Sequence, residues 1–252
     1  MAKPSIPLSQ IRDDFIKCID NNRLIIKETL QLKENELLFQ NFGQGRYKKV
    51  DSYCNQLIGN SFASIIASWE EFLEECMIRY LRGRVPTTSL IRHTKSKLGH
   101  IPNVETAYKV LGGSDFIIGK HYLGYSSLET VRRDADAFLE NHPFVFDNND
   151  IEMMRRAIKI RNRVAHTSHK CRQDFLKVVK IYLQIPPNNS LPNNQKGWNV
   201  GKLLLQQPNQ YLFSNIQLNT LPETAVTNDH IGFNNFEMFC ENIIRLARVI
   251  AP

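Results

Sequence analysis

The stretch SFASIIASWEEFLEECMIRYL, inside residues 50–82, places Phe62, Ile65, Ile66, Trp69, Phe72, Leu73 and Met77 three or four positions apart. Side chains at that spacing line one face of a helix, whereas a half-buried strand needs strict alternation. An apolar face this long has to be covered along its length. The spacing therefore predicts a helix from about Val50 to Arg82 that packs on other helices.

The same period recurs. Leu8, Ile11, Phe15, Ile19, Leu24, Ile25, Leu30, Leu37 and Leu38 predict a helix over roughly 8–42, closed by the glycines and basic cluster of NFGQGRYKK. Residues 83–125 are less regular: RGRVPTTSLIRHTKSKLGHIP is basic and broken by Pro and Gly, and a short helix follows near Val104 to Leu111. SSLETVRRDADAFLENH reads as a helix capped by Ser126 or Ser127, and DNNDIEMMRRAIKIRNRVAH as one with an acidic start at Asp147 to Asp150. HKCRQDFLKVVKIYL continues helically to the stop at Pro186-Pro187. PPNNSLPNNQKGW is a Pro/Asn loop, VGKLLLQQPNQYLFSNIQL reads as a small β-hairpin turning at Pro208-Asn209, and NNFEMFCENIIRLARVIA closes the chain as an amphipathic helix. The expected fold is an all-α bundle in one domain over 1–252. It has an N-terminal long helix in 1–49, a bundle core over 50–185, a loop and hairpin insertion over 186–231, and a closing helix in 232–252.

No apolar run reaches the roughly 18 to 20 residues that a membrane span needs, and MAKPSIPLSQIRDD has no apolar signal core. Cys18, Cys54, Cys76, Cys171 and Cys240 are scattered without a CxxC, the usage of a reducing compartment. A cytoplasmic protein with no membrane partner is expected. The net charge of +7 and pI of about 9.2 fit a partner rich in phosphate.

One arginine breaks the pattern. On a helical wheel from Ile151 to His166, Ile151, Met154, Ile158 and Ala165 share a face, with Ala157 and Val164 beside it. Glu152, Arg155, Arg156, Lys159 and Arg163 gather opposite, yet Arg161 falls inside the apolar stripe. Burying an unpaired guanidinium costs several kcal/mol. Arg161 is thus expected either to meet a carboxylate such as Glu70, Glu71, Glu74 or Glu75, or to face a crevice or a second subunit. Asn162 lies one turn before His166, where its amide could hold the imidazole. Arg161 and His166 are five apart, a divergence of about 140° on a continuous helix.

Arg161-Asn162-Arg163-Val164-Ala165-His166 resembles the R-x4-6-H motif of HEPN domains, including the polar residue after the arginine. With SWEEFLEECMIRYL in an early helix and IKIRNRVAH in a later one, roughly residues 50–185 look like the RiboL-PSP type of HEPN protein. The resemblance implies a HEPN-like bundle and a metal-independent endoribonuclease without a cofactor, acting on tRNA or mRNA. Its composite site would lie at a homodimer interface. His166 would be the acid/base, Arg161 the phosphate stabiliser, and Asn162 the residue that orients either. It further implies a toxin or abortive-infection effector in antiphage defence, with an antitoxin or other defence-system partner. The residue types fit the chemistry: attack by a 2′-OH needs a base that titrates near neutrality and a fixed planar cation for the phosphorane charge. One departure is Ser168, which stands where some HEPN toxins carry a tyrosine that a partner modifies. A non-catalytic HEPN-like module for RNA or nucleotide, or an adaptor, is the rival expectation.

Arg155, Arg156, Lys159, Arg163 and Lys170 around the motif, and Arg92, Lys95 and Lys97 in the basic loop, are candidate RNA-backbone contacts. His166, His169 and Cys171 form H-x2-H-x-C, which matches no standard structural zinc spacing, and no metal site is assigned. Trp198, Tyr211 and Phe213 in the insertion either stack on bases or anchor their loop.

Overall fold

Each helix expected from the apolar period is present among the described residues, the expected end of the first over 35–42 lying outside them, and side-chain caps set where several begin. The computed structural model describes residues 6–34, 47–83, 101–191, 197–207 and 234–252. Among these, eight helices and no strand occur: α1 (Leu8–Glu34), α2 (Tyr47–Leu81), α3 (Val104–Gly112), α4 (Leu128–Phe138), α5 (Asn148–Ala165), α6 (His169–Tyr182), α7 (Val200–Leu204) and α8 (Asn235–Ile250). Asn103, Ser127, Ser168 and Asn199 each accept the backbone N–H three residues on, which satisfies one of the four orphan donors at a helix start. At α5 the acidic pair works reciprocally: Asp147 accepts the Asp150 N–H at 2.8 Å and Asp150 accepts the Asp147 N–H at 3.3 Å. No helix among the described residues is long and apolar enough to cross a membrane.

The hairpin expectation fails in its first half. Val200 to Leu204 is helical because Asn199 caps it, accepting from the Lys202 N–H at 2.9 Å, and four of its five residues are buried. Pro208-Asn209, Tyr211 and Phe213 lie outside the described residues, as do Arg92, Lys95, Lys97 and most of NFGQGRYKK.

The chain divides into two units, and α1, α2, α5 and α8 each contribute a part to both. One unit comprises Met1–Ile16, Ser68–Met154 and Ile244–Pro252. Its core is aromatic: Phe15 stacks on Phe72 (5.1 Å between centroids) and Phe72 on Trp69 (5.4 Å). Tyr80 donates its hydroxyl to the Ile250 carbonyl at 2.7 Å, and Arg245 pairs with Asp150. Glu74 is engaged by the Tyr108 hydroxyl and Glu75 by Arg79.

The other unit comprises Lys17–Ala67 and Arg155–Ile243. Phe62 packs edge-on against Phe236 and Phe239, with Ile160, Phe175, Val178 and Leu204 also buried. On α1 the buried stripe here runs Ile19, Arg23, Ile26, while Leu24 and Ile25, expected inside, are 47% and 48% exposed. Arg23 is 1% exposed and reaches Glu237 and Glu241 at 2.6 Å each and Asp20 at 3.1 Å. Burial works against its charge, but the surrounding negative groups outweigh that and hold the guanidinium well above its ordinary range. Gly201 permits the close crossing of α7 and α2: a Cβ there would lie 2.5 Å from the Asn55 Cα.

Candidate active site

The last two turns of α5 and the first of α6 carry the residues of interest. The buried side of α5 is centred on Met153, Ala157 and Ile160, about 100° round the wheel from the stripe of Ile151, Met154, Ile158 and Ala165. Two expectations change with that rotation. Ala165 is exposed, and Arg156, placed on the solvated charged face and among the RNA contacts, is 8% exposed. The physical reason is position: Arg156 follows Met153 by three and precedes Ile160 by four, so it flanks the true core face. Its guanidinium lies against Tyr182, whose phenol burial pushes up while the Arg156 charge pulls the other way.

Arg161 is half-buried on the opposite flank of that face, and its Nη1 donates to Asn162 Oδ1 at 3.1 Å. The Asn162 side chain thus accepts from the arginine, while its backbone carbonyl accepts the His166 N–H at 2.9 Å. That is the final i→i−4 bond of α5, so the helix holds its phase through His166 and keeps Arg161 and His166 about 140° apart within one chain. His166 is exposed. Arg163 Nη1 donates to the His166 carbonyl at 3.2 Å, tying a cation to the negative end of the helix dipole.

The turn that follows is short because Ser168 starts the next helix, its hydroxyl accepting the Cys171 N–H at 3.3 Å. The hydroxyl at this position therefore has a local structural task. Arg155, His169, Lys170 and Arg172 are exposed and Lys159 is half-buried, so the end of α5 and the start of α6 form a cationic ridge. The ridge registers on an acid of α6. Asp174 is held below the usual carboxylate range, first by the hydrogen bond from Lys177 and further by the charges of Lys177, Lys159 and Lys170. Among the described residues no cluster of three or more His, Cys, Asp or Glu is placed to hold a metal ion.

Arg163 also lines a cleft with α2 and the start of α7 that the apolar period did not reveal. Its signal was in the sequence as Ser52, Gln56 and Asn60, polar residues at i, i+4, i+8 on a helix otherwise read only for packing. No protein-family model, curated protein or solved structure matches this chain.

Proposed function

We propose that the chain is a metal-independent endoribonuclease of HEPN type, acting as a toxin or abortive-infection effector in antiphage defence. The observation that supports it is the end of α5, where Arg161, Asn162 and an exposed His166 share the last turns of one helix inside a cationic ridge. The residues supply an acid/base, a planar cation and an orienting amide. Asn162 accepting from Arg161 fixes one edge of the guanidinium, which narrows its role to positioning the cation.

In this reading His166 takes the proton of a ribose 2′-OH as that oxygen bonds to the adjacent phosphorus. The bond from phosphorus to the 5′-oxygen breaks, that oxygen takes a proton from solvent water while His166 returns its own to solvent, and the products end in a 2′,3′-cyclic phosphate and a 5′-hydroxyl. Arg161 stabilises the charge that builds on the non-bridging oxygens. Because one chain holds Arg161 and His166 on different sides of α5, a homodimer supplies the arginine of one subunit to the histidine of the other.

Purified protein is incubated with end-labelled tRNA and mRNA in EDTA, beside His166→Ala and Arg161→Ala. Cyclic-phosphate ends made by wild type and lost in both variants are the expected result. Persistence of cleavage in His166→Ala overturns the assignment. Gradual loss of RNA affinity as Arg155, Lys159 or Lys170 is removed, with no cleavage by any form, favours the rival binding module, for which the spread of the ridge over two helices speaks.

A further inference from the structure

The cleft beside the motif has the chemistry of a nucleotide subsite. It encloses about 310 Å³, at the lower end of the range of small-molecule sites and too small for a folded partner. Four of its lining side chains from α2, Ser52, Asn55, Gln56 and Asn60, are neutral hydrogen-bonding groups, and no carboxylate lines it. Amides carry both donors and acceptors, the complement that the edge of a nucleobase presents. Trp198 gives the cleft its aromatic wall, and Lys202 Nζ sits 5.0 Å from the centroid of that ring. Arg163 also lines the cleft and commits one of its five N–H donors to the His166 carbonyl.

The cleft is built rather than incidental. Gly59 lets α5 and α7 approach α2, since a Cβ there would meet Val164 at 3.3 Å and Val200 at 3.5 Å. Asn199, at the cleft edge, is fixed by capping α7. The polar residues of α2 therefore face a space whose walls are set by helix crossings.

We infer that this cleft binds one nucleoside phosphate, with the base against the amides of α2 and the phosphate between Arg163 and Lys202. Because Arg163 donates to the His166 backbone carbonyl, the cleft adjoins the end of α5 that carries His166, which makes it the reader of a base near the cut. The assignment of the nucleotide to an RNA strand rests on the ribonuclease reading, and binding is therefore measured apart from cleavage.

The chain has two tryptophans, and Trp69 is fully buried in the other unit, so indole fluorescence reports mainly on Trp198. Wild type is titrated with AMP, CMP, GMP and UMP, with the matching nucleosides, and with an unpaired RNA hexamer. A saturable change is expected that disappears in Trp198→Phe. Asn60→Ala and Gln56→Ala, both at exposed helix positions, weaken binding by about tenfold, the worth of one or two lost hydrogen bonds. Arg163→Ala abolishes the advantage of nucleotides over nucleosides, while the remote Lys120→Ala leaves affinity unchanged. Tighter binding of the hexamer than of any mononucleotide assigns the site to a strand, and the reverse assigns it to a free nucleotide. Either outcome in a protein that cuts no RNA would overturn the ribonuclease reading and keep the cleft. No saturable signal up to about 1 mM ligand, checked by equilibrium dialysis, overturns the inference. So does binding indifferent to Asn60→Ala and Gln56→Ala.

Discussion

Replacing Arg23 by Met removes a charge from the interior and keeps most of the side chain's volume. Glu237, fully buried, then loses the Arg23 guanidinium, while Glu241 and Asp20 are 26% and 36% exposed and recover hydration. Breaking a buried pair by deleting one member costs about 3–5 kcal/mol, because the remaining ion keeps its desolvation penalty. With two of the three acids partly wet, the loss expected for Arg23→Met is about 3–4 kcal/mol, a large share of the 5–15 kcal/mol typical of a folded protein. Urea unfolding followed by circular dichroism measures it, with the denaturant slope checked for constancy. Adding Glu237→Gln to Arg23→Met is expected to restore at least about half of the loss, since a neutral amide is cheaper to bury than a carboxylate that has lost its guanidinium. The i,i+4 pair Arg79–Glu75 provides a contrast: its acid is 48% exposed, and Glu75→Gln is expected to cost under about 1 kcal/mol. A loss below about 1 kcal/mol for Arg23→Met, with an unchanged slope, would refute the reasoning.

The α7–α2 crossing makes Gly201→Ala destabilising by about 1–3 kcal/mol despite the better helix propensity of Ala, because the new methyl would meet Asn55 backbone at 2.5 and 2.6 Å. A melting temperature equal to wild type would show that the crossing can relax. Arg155→Ala and Lys170→Ala are each expected to lower the salt slope of single-stranded RNA binding by about 0.7, whereas Arg156→Met, at a buried position, is expected to lower stability and leave that slope alone. Equal slope changes for all three would place Arg156 on the ridge after all. Burial raises the Asp150 carboxyl above the usual carboxylate range, against the pull of Arg245. The folded state therefore holds that proton more tightly than the unfolded chain, and the contribution is full below about pH 3.9 and lost as pH rises through the folded value. The stability of wild type minus that of Asp150→Asn should fall between about pH 3 and pH 7, and a rise over that range would contradict the sign.

Local signals were the legible ones. The apolar period gave α2 to within a few residues at each end, and Ser127 and the Asp147–Asp150 pair marked their helix starts because caps act within one turn. The Asn199 cap is equally local, but the apolar residues after it also fit a strand, and the cap decides for the helix. Arg23 was illegible for a different reason: a cation on a buried stripe makes sense only with Glu237, 214 residues later, and no local pattern announces that pairing. On α5, Ile151, Met154 and Ile158 fit one apolar stripe and Met153, Ala157 and Ile160 another. Packing buries the second whole and keeps Ile151 and Met154 of the first buried as well, which encloses Arg156 and leaves Ile158 half-buried and Arg161 on the flank. The R-x4-6-H residues were visible from the start, but the hydrogen bond that turns Asn162 toward Arg161 instead of His166 depends on side-chain geometry.

The proposed composite site is tested most directly by mixing two variants that the proposal makes inactive. In a dimer of Arg161→Ala with His166→Ala, one site pairs the intact histidine of the first subunit with the intact arginine of the second, and the other site lacks both. Random subunit exchange makes half the dimers mixed, each with one of two sites restored, so RNA cleavage should return to about a quarter of the wild-type rate. Cleavage that stays at the level of the separate variants, with mixed dimers verified by mass, would contradict a site shared between subunits.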